Sequence, residues 1–156
     1  RSYRQNDATL RAFGMGASHG LDMYLYYVNQ SGYNADAIDL VRSDGSRIRF
    51  LPLADNKDVR TAIFQSEQPG SFHKAQIRGT YPSSLIATRK DGQRYGFSWY
   101  QSRLQWAEDR DGNRLSLLRD SSGRIDIAVS PNGRWLDFEY GSTTCSACRC
   151  AQACAT

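Results

Sequence analysis

The stretch DGNRLSLLRDSSGRIDIAVSPNGRWLDFEY, residues 111–140, repeats one short pattern three times. Each copy places a glycine in a polar turn sequence, an arginine soon after it, and then a run of alternating apolar residues. Successive side chains of a β-strand point to opposite faces, so such a run predicts a strand with one apolar face. The turn glycines are roughly ten residues apart, which leaves room for one strand and one turn per copy. The stretch therefore predicts an antiparallel meander in which each strand pairs with its neighbour.

Related patterns occur at 37–53, 84–100 and 104–118. Each contains an Asp-Gly dipeptide between two apolar runs. Asp-Gly is among the strongest short signals for a hairpin, because glycine accepts the positive φ that a type I′ turn requires. The dipeptides are Asp44-Gly45, Asp91-Gly92 and Asp111-Gly112.

The alternation after each turn assigns the apolar residues of one run to one face of the sheet and the polar residues to the other. In the first hairpin, Ile48 and Phe50 alternate with Arg47 and Arg49. The other predicted apolar sets are Tyr95, Phe97 and Trp99; Ile125, Ile127 and Val129; and Leu136, Phe138 and Tyr140.

These patterns predict an all-β fold, an antiparallel twisted sheet of consecutive hairpins. A hairpin of this kind cannot bury its own apolar face, so we expect the sheet to continue beyond residue 140 in a longer parent protein. The sequence divides into a less regular region at 1–83, the repeated hairpins at 84–141 and a cysteine-rich tail at 142–156.

The expected role of the repeated residues is structural. We expect the glycines to form the turns and the arginines to pair across neighbouring strands, because the planar donor fork of arginine suits fixed contacts in a folded array. The glycines are Gly45, Gly92, Gly112, Gly123 and Gly133, and the arginines are Arg47, Arg94, Arg114, Arg124 and Arg134.

Charge and hydropathy restrict the partners. The formal net charge is +4, but the cations are scattered through turns, whereas nucleic-acid binders usually gather them on one face. We therefore expect no nucleic-acid partner.

The most apolar stretch, 21–28, is far shorter than the roughly 20 residues of a membrane-spanning helix, so we expect no membrane span. The chain begins at Arg1 rather than Met, which leaves an upstream signal peptide open.

All four cysteines lie in the tail sequence CSACRCAQACAT. Four thiolates could surround a zinc ion, although structural zinc sites usually draw pairs of ligands from two separate segments. Zinc binding, disulfide pairing and a non-structural, disordered tail all stay open. The candidate metal ligands are Cys145, Cys148, Cys150 and Cys154.

Catalysis and cofactor binding are not expected. Ser18, His19 and Asp22 could be read as a hydrolytic set, but sequence neighbours in a glycine-rich loop rarely converge as nucleophile, base and orienting group. The other histidine, His73, belongs to no motif. DRDGN at 109–113 faintly resembles a calcium loop but has no glutamate at the twelfth position, so a hairpin explains it better.

Carbohydrate or peptide binding by a small β-sheet module of the bacterial cell surface is the alternative function. Trp99, Tyr100, Trp106 and Trp135 could stack on sugars if their rings lie exposed in one row. In strands, however, large aromatic side chains more often fill cross-strand pairs.

The glycine-arginine units resemble the RHS/YD-repeat family of bacterial proteins, whose repeat has roughly the form Gly-x-x-x-Arg-Tyr-x-Tyr-Asp-x-x-Gly-Arg-Leu. GNRLSLLRDSSGRI at 112–125 matches this form except that Leu118-Arg119 replaces the expected tyrosine, and NGRWLDFEYG at 132–141 matches the next unit. RSY at 1–3, Gly-x-Gly at 14–16 and VRSDGSRIRF at 41–50 resemble the region that precedes such repeats. The matching positions in the first unit are Arg114, Leu115, Asp120, Gly123, Arg124 and Ile125.

The resemblance implies a function that spacing alone does not give. RHS proteins form β-sheet shells that enclose a C-terminal toxin or effector domain and travel through secretion systems. The resemblance thus implies a non-enzymatic shell fragment, partnered by the rest of the parent shell, its enclosed effector and a secretion-system component. It also implies an exported or cell-surface protein that is cytoplasmic before export.

Overall fold

The computed structural model describes residues 20–140 in full, together with the backbone of short strands at 2–3, 10–11, 14–15, 17–18 and 145–152. Every regular element in these parts of the chain is a β-strand. The strands are β1 (Ser2–Tyr3), β2 (Leu10–Arg11), β3 (Gly14–Met15), β4 (Ala17–Ser18), β5 (Tyr24–Val28), β6 (Ala37–Val41), β7 (Arg47–Pro52), β8 (Ile63–Gln65), β9 (Gln76–Thr80), β10 (Ser84–Thr88), β11 (Arg94–Ser98), β12 (Leu104–Glu108), β13 (Arg114–Arg119), β14 (Ile125–Val129), β15 (Arg134–Tyr140) and β16 (Cys145–Gln152).

Strands β5 to β16 form one 12-stranded sheet in which spatial order follows chain order. Every neighbouring pair is antiparallel. Outside this sheet, β1 pairs with β4 and β2 with β3. The predicted all-β sheet of consecutive hairpins is confirmed. β9 and β10 pair across the predicted boundary at residue 83, so the described regions on both sides of it share this sheet.

Five hairpin loops share one hydrogen-bonding pattern. In the first, the Gly45 N–H donates to the Arg42 carbonyl and the Arg42 N–H donates to the Ser46 carbonyl. The five turn glycines have φ between 72° and 88°, while the residues before them do not have positive φ. This is a type I turn followed by one left-handed residue, so the predicted type I′ geometry, which needs positive φ at two residues, is wrong. The other loops begin at Arg89, Asp109, Asp120 and Ser130.

Short polar side chains close these loops by accepting backbone hydrogen bonds, as in Asx-turns. Asp109 Oδ1, for example, accepts from the Asn113 N–H at 2.9 Å, and Asp120 Oδ1 accepts from the Arg124 N–H at 2.9 Å. In the remaining three loops the acceptors are Asp44, Asp91 and Asn132, which directly precede the glycines. The polar residues around each glycine therefore hold the turn itself.

Most of the buried apolar residues of the strands face one side of the sheet and form one core. The register places Ile38, Phe50, Phe64 and Ile77 on this side, and all four are at most 1% exposed. The same cluster continues through β10–β15 to Phe138, and we call this side the core face. Its partly buried members include Tyr95, Trp99, Leu136 and Tyr140, as the alternation predicts.

The predicted face of β14 is partly wrong. Ile125 is in the core, but the register shifts between Leu118 and Arg119, where β13 pairs with β14. Beyond this bulge Ala128, not Ile127, lies opposite core residues Leu117 and Leu136. An extra residue in one strand exchanges the faces of all residues after it, and the sequence alternation does not reveal this insertion.

The sheet curls so that its first strand lies beside the segment that enters β12. The Leu25 N–H donates to the Ser102 carbonyl at 2.7 Å, and the Leu104 N–H donates to the Met23 carbonyl at 3.0 Å. Tyr24 and Arg103 form an isolated antiparallel bridge between these hydrogen bonds. The curl encloses the core face and pairs polar backbone at the edge of β5, which otherwise would be open to pairing with another chain.

Candidate functional site

The face opposite the core, here called the outer face, carries two carboxylate centres. Asp39 on β6 is 1% exposed and receives bonds from Arg49 Nε at 2.8 Å and Arg49 Nη2 at 2.9 Å. Arg47 lies 3.8 Å from the same carboxylate. The hydrogen bonds from Arg49 hold the pKa of Asp39 below its usual value. This centre joins β6 to β7.

The second centre is Glu108 on β12. It accepts hydrogen bonds from Arg94 on β11 and from Arg114 Nε on β13, the latter at 2.8 Å. The bonds from Arg94, followed by those from Arg114, lower the pKa of Glu108. Arg114 Cζ also lies 4.0 Å from the centroid of the Trp106 ring. One carboxylate therefore links three neighbouring strands.

A row of polar residues joins the Glu108 centre to the middle of the sheet. The Cα register runs from Gln65 through Gln76 and Thr88 to Arg94. Gln76 Nε2 donates to Gln65 Oε1 at 3.0 Å. Polar side chains thus follow one another across the outer face from β8 to β11, perpendicular to the strand direction.

The five predicted arginines have different partners. Arg47, Arg94 and Arg114 face carboxylates on neighbouring strands. Arg124 instead pairs with Asp120 of its own hairpin loop at 2.8 Å. The backbone N–H of Arg134 donates to Asn132 Oδ1 at 3.3 Å. Cross-strand pairing thus describes three of the five positions.

Arg119, which was not singled out from the sequence, joins β13 to β12 and to the following turn. Its Nη2 donates to the Leu104 carbonyl at 2.6 Å and its Nη1 to the Gly123 carbonyl at 2.9 Å. Burial lowers its pKa. This guanidinium occupies the place where the RHS/YD-repeat pattern that the sequence resembles has a tyrosine, and it donates to two backbone carbonyls there.

The four aromatic residues suggested as a sugar platform do not form one row. Trp99 packs against the core, and Tyr100 in the adjacent turn is 81% exposed. Trp106 and Trp135 lie in one register row of the outer face, with Ser116 and Val129 between them. Arg114 lies over one face of the Trp106 ring, so that face is not open for a sugar to stack on.

A different aromatic cluster, missed in the sequence, lies where four loops meet. The loops after β5, β7, β9 and β11 are at one end of the antiparallel sheet, and they bring together Tyr33, Arg60, Tyr81 and Trp99. We call these residues the loop-end cluster. The Tyr33 and Tyr81 ring centroids are 5.9 Å apart, and those of Tyr81 and Trp99 are 5.2 Å apart. Arg60 Cζ lies 4.0 Å from the Tyr33 centroid.

The parity of the hairpins is the sequence signal that could have found this cluster. In a sequential antiparallel sheet, loops after alternate strands lie at the same end. Tyr33, Tyr81 and Trp99 each fall in or beside a loop after an odd-numbered strand. Gly79 lets these loops approach, since a Cβ there would lie 2.3 Å from the Val59 carbonyl oxygen and 3.1 Å from Trp99 Cζ3.

Of the side chains considered for a hydrolytic set, only that of Asp22 belongs to the described residues. His19 and the side chain of Ser18 lie outside the described residues, and Asp22 is 4.0 Å from Arg103. His73 Nδ1 lies 3.3 Å from the Glu67 carbonyl oxygen, on an exposed loop. Between residues 20 and 140 there is no cluster of three or more His, Cys, Asp or Glu side chains suited to a metal ion.

Zinc binding and disulfide pairing by the tail cysteines stay predictions, since these side chains lie outside the described residues. The backbone of β16 pairs with β15 along Arg134–Tyr140. The side chains of Cys145, Cys148 and Cys150 lie outside the described residues, as does the whole of Cys154. Gly16 and Arg1 of the predicted N-terminal motifs also fall outside them.

Comparison with known proteins gives no family assignment: neither the protein-family models nor the curated proteins contain a match to this chain. The described segments also lack any helix long and apolar enough to cross a membrane.

Proposed function

We propose that this chain is a non-enzymatic wall segment of an RHS/YD-repeat-type shell that encloses or carries a C-terminal toxin or effector domain. The observation that carries the proposal is the repetition of one turn conformation in five hairpins of a single, sequentially ordered sheet. A meander built from one such unit can be extended by adding further units at its edge, which is how repeat proteins grow.

The positions of the repeat pattern have distinct structural roles in the hairpin at 120–125. Asp120 accepts the hydrogen bonds that close the loop, and Gly123 takes the left-handed conformation. Arg124 Nε donates a hydrogen bond to the Asp120 carboxylate, and the side chain of Ile125 lies in the core, where it is 2% exposed. The sequence Asp-x-x-Gly-Arg-apolar thus encodes a self-contained turn that also aims one residue into the core.

The outer face supports a wall role as well. Its charged side chains pair with one another across strands at Asp39 and Glu108. Paired charges on one face and a continuous apolar core on the other suit a sheet that separates two environments. In this proposal the partners are the rest of the shell, the enclosed effector and a component of the secretion system, and the protein is exported from a bacterium.

Protease protection in the full-length parent protein tests the proposal. The domain downstream of the sheet should resist trypsin in the parent protein. Replacing both Gly112 and Gly133 by valine should expose it, while Gly20→Val, outside the hairpin turns, should leave it protected. A downstream segment that is equally sensitive in all three proteins, or a parent protein that is a stand-alone binding module without such a segment, contradicts the proposal.

A further inference from the structure

We propose that Asn132 is a site of spontaneous deamidation, in which its side-chain amide becomes a carboxylate by reaction with the neighbouring Gly133. This inference concerns the loop between β14 and β15 and stands independently of the wall role. Asparagine is among the thermolabile residues of proteins. Asn132 is exposed, and it is the one asparagine of six in the sequence that precedes a glycine.

The reaction is an attack of the main-chain nitrogen of Gly133 on Cγ of Asn132. A bond forms between these two atoms, the attacking nitrogen gives its proton to a base in the solvent, and the side-chain nitrogen takes up a proton from water and leaves as ammonia. The product is a cyclic imide in which one nitrogen is bonded to both Cγ and the main-chain carbonyl carbon of residue 132. Water then breaks one of these two bonds. Cleavage at Cγ gives aspartate, and cleavage at the main-chain carbon gives isoaspartate, whose chain continues through the side chain.

Hydrogen-bond donors of the loop activate the carbonyl of the Asn132 side chain. The Arg134 N–H donates to Asn132 Oδ1 at 3.3 Å, and the Ser130 hydroxyl can give its one proton to the same oxygen or to the Arg134 carbonyl. Donors at a carbonyl oxygen draw electron density from its carbon and stabilise the negative charge that develops on the oxygen during attack. The loop therefore makes Cγ of Asn132 a better electrophile.

The leaving group and the space for the ring are both open. In the described part of the chain no hydrogen bond holds Nδ2 of Asn132, whereas Nδ2 of Asn113 donates to Asp109 Oδ2 at 2.8 Å. A Cβ at Gly133 would meet no atom within 4 Å, so no neighbouring group obstructs the ring. The Gly133 N–H donates to the Ser130 carbonyl at 3.1 Å, and this bond has to open before the nitrogen loses its proton. The rate should therefore rise with the hydroxide concentration.

The aspartate product fits a loop that the protein already uses elsewhere. Directly before two other turn glycines, Asp44 Oδ1 accepts from the N–H two residues ahead at 2.9 Å, and Asp91 Oδ1 does the same at 3.1 Å. Asn132 makes the equivalent bond to the Arg134 N–H. An aspartate at position 132 therefore keeps the turn, while it lowers the formal net charge of +4 by one unit.

The isoaspartate product does not fit this loop. The Gly133 N–H donates to the Ser130 carbonyl at 3.1 Å, and the Ser130 N–H donates to the Arg134 carbonyl at 2.8 Å. Isoaspartate adds one atom to the main chain inside both of these hydrogen-bonded rings, and bond lengths along the chain are fixed. We therefore expect the two products to have opposite effects on the hairpin of β14 and β15.

Incubation of the folded chain for several weeks, followed by peptide mapping with mass spectrometry, tests the proposal. Trypsin releases residues 125–134 as one peptide, in which Asn132 carries the single side-chain amide. This peptide should gain the mass that separates aspartate from asparagine at least about tenfold faster than the peptides that contain Asn29 and Asn113, and faster at pH 8 than at pH 6. No conversion at Asn132, conversion no faster than at Asn29 or Asn113, or a rate that does not change with pH would each overturn the inference.

Variants and separated products test the structural part of the inference. Asn132→Gln is the matched control, because its longer side chain would have to close a larger ring, and it should form far less of the acidic species on cation exchange. Asn132→Asp reproduces the first product and should have a Tm within about 2 °C of the unaltered protein. The isoaspartate fraction, identified with an isoaspartate-specific methyltransferase, should exchange the amide hydrogens of Ser130 and Gly133 faster than the aspartate fraction does. Equal acidic species in Asn132→Gln, a larger fall in Tm for Asn132→Asp, or equal exchange in the two fractions would contradict the assignment.

Discussion

Replacement of a turn glycine by valine should destabilise the protein through the backbone alone. Gly112 and Gly133 have φ of 87° and 77°, and a Cβ at either position would meet no atom within 4 Å. A Cβ therefore meets no clash at either position, and the expected cost is that of the left-handed conformation, about 2 kcal/mol for an L-residue with a branched side chain. For a domain of this size, that loss corresponds to a fall in Tm of about 4–8 °C.

A graded series at one position separates this conformational cost from other effects. Gly112→Asn should cost least, since asparagine visits the left-handed region readily, followed by Gly112→Ala and then Gly112→Val. Gly20→Val is the control, because Gly20 also has open space around it but does not have positive φ. We expect the control to change the free energy of unfolding by less than about 0.5 kcal/mol.

Thermal unfolding followed by circular dichroism, with urea titration for the free energy, measures the series. Equal Tm values for Gly112→Val, Gly133→Val and Gly20→Val would refute the reasoning, since the turns would then not need a left-handed residue. An asparagine variant as unstable as the valine variant would also refute it.

Two further predictions concern the outer face. Gly96→Ala should destabilise the sheet by about 1–3 kcal/mol, because the new Cβ would lie 2.0 Å from Trp106 Cε2 and force the ring away from Arg114. Urea titration of this variant and of Gly20→Ala, the control, measures the loss of stability. Equal midpoints for the two variants would contradict the prediction. Stability should also fall in acid, because hydrogen bonds from Arg49 lower the pKa of Asp39 in the folded protein. The contribution of the Asp39 carboxylate to the free energy of unfolding is complete above the unfolded-state pKa, about 3.9. It is lost as the pH falls through the lower pKa of the folded state. Tm measured from pH 6 to pH 2 should therefore fall less in Asp39→Asn than in the unaltered protein, and parallel curves would contradict the assignment.

Local features of this fold could be predicted because they depend on a few adjacent residues. A glycine between polar residues, followed by an alternating run, predicts both a turn and the face of the next strand. The turn type was missed because Asp-Gly suits more than one loop. In this structure the dipeptide is part of a type I turn followed by one left-handed residue, Gly45. The hydrogen bond from the Arg42 N–H to the Ser46 carbonyl, which closes this loop, cannot be read from the dipeptide.

Features that depend on distant parts of the chain could not be predicted from the pattern. Nothing in the sequence near Leu25 indicates that its N–H meets Ser102, because this contact results from the accumulated curl of the whole sheet. The bulge that turns Ala128 toward the core is likewise invisible to an alternating pattern. For the loop-end cluster the pattern goes part of the way: hairpin parity places the loops of Tyr33 and Tyr81 at the same end of the sheet, but the contact between their rings depends on the folded sheet between them.

A cryo-EM reconstruction of the full-length parent protein tests the central claim most directly, which is that these hairpins are part of one continuous, extendable wall. We predict that further strands follow β16 in chain order, with the same one-glycine turns, and that the sheet encloses a downstream domain. A sheet that ends at this chain as a separate globular unit, with no enclosed domain, would contradict the claim.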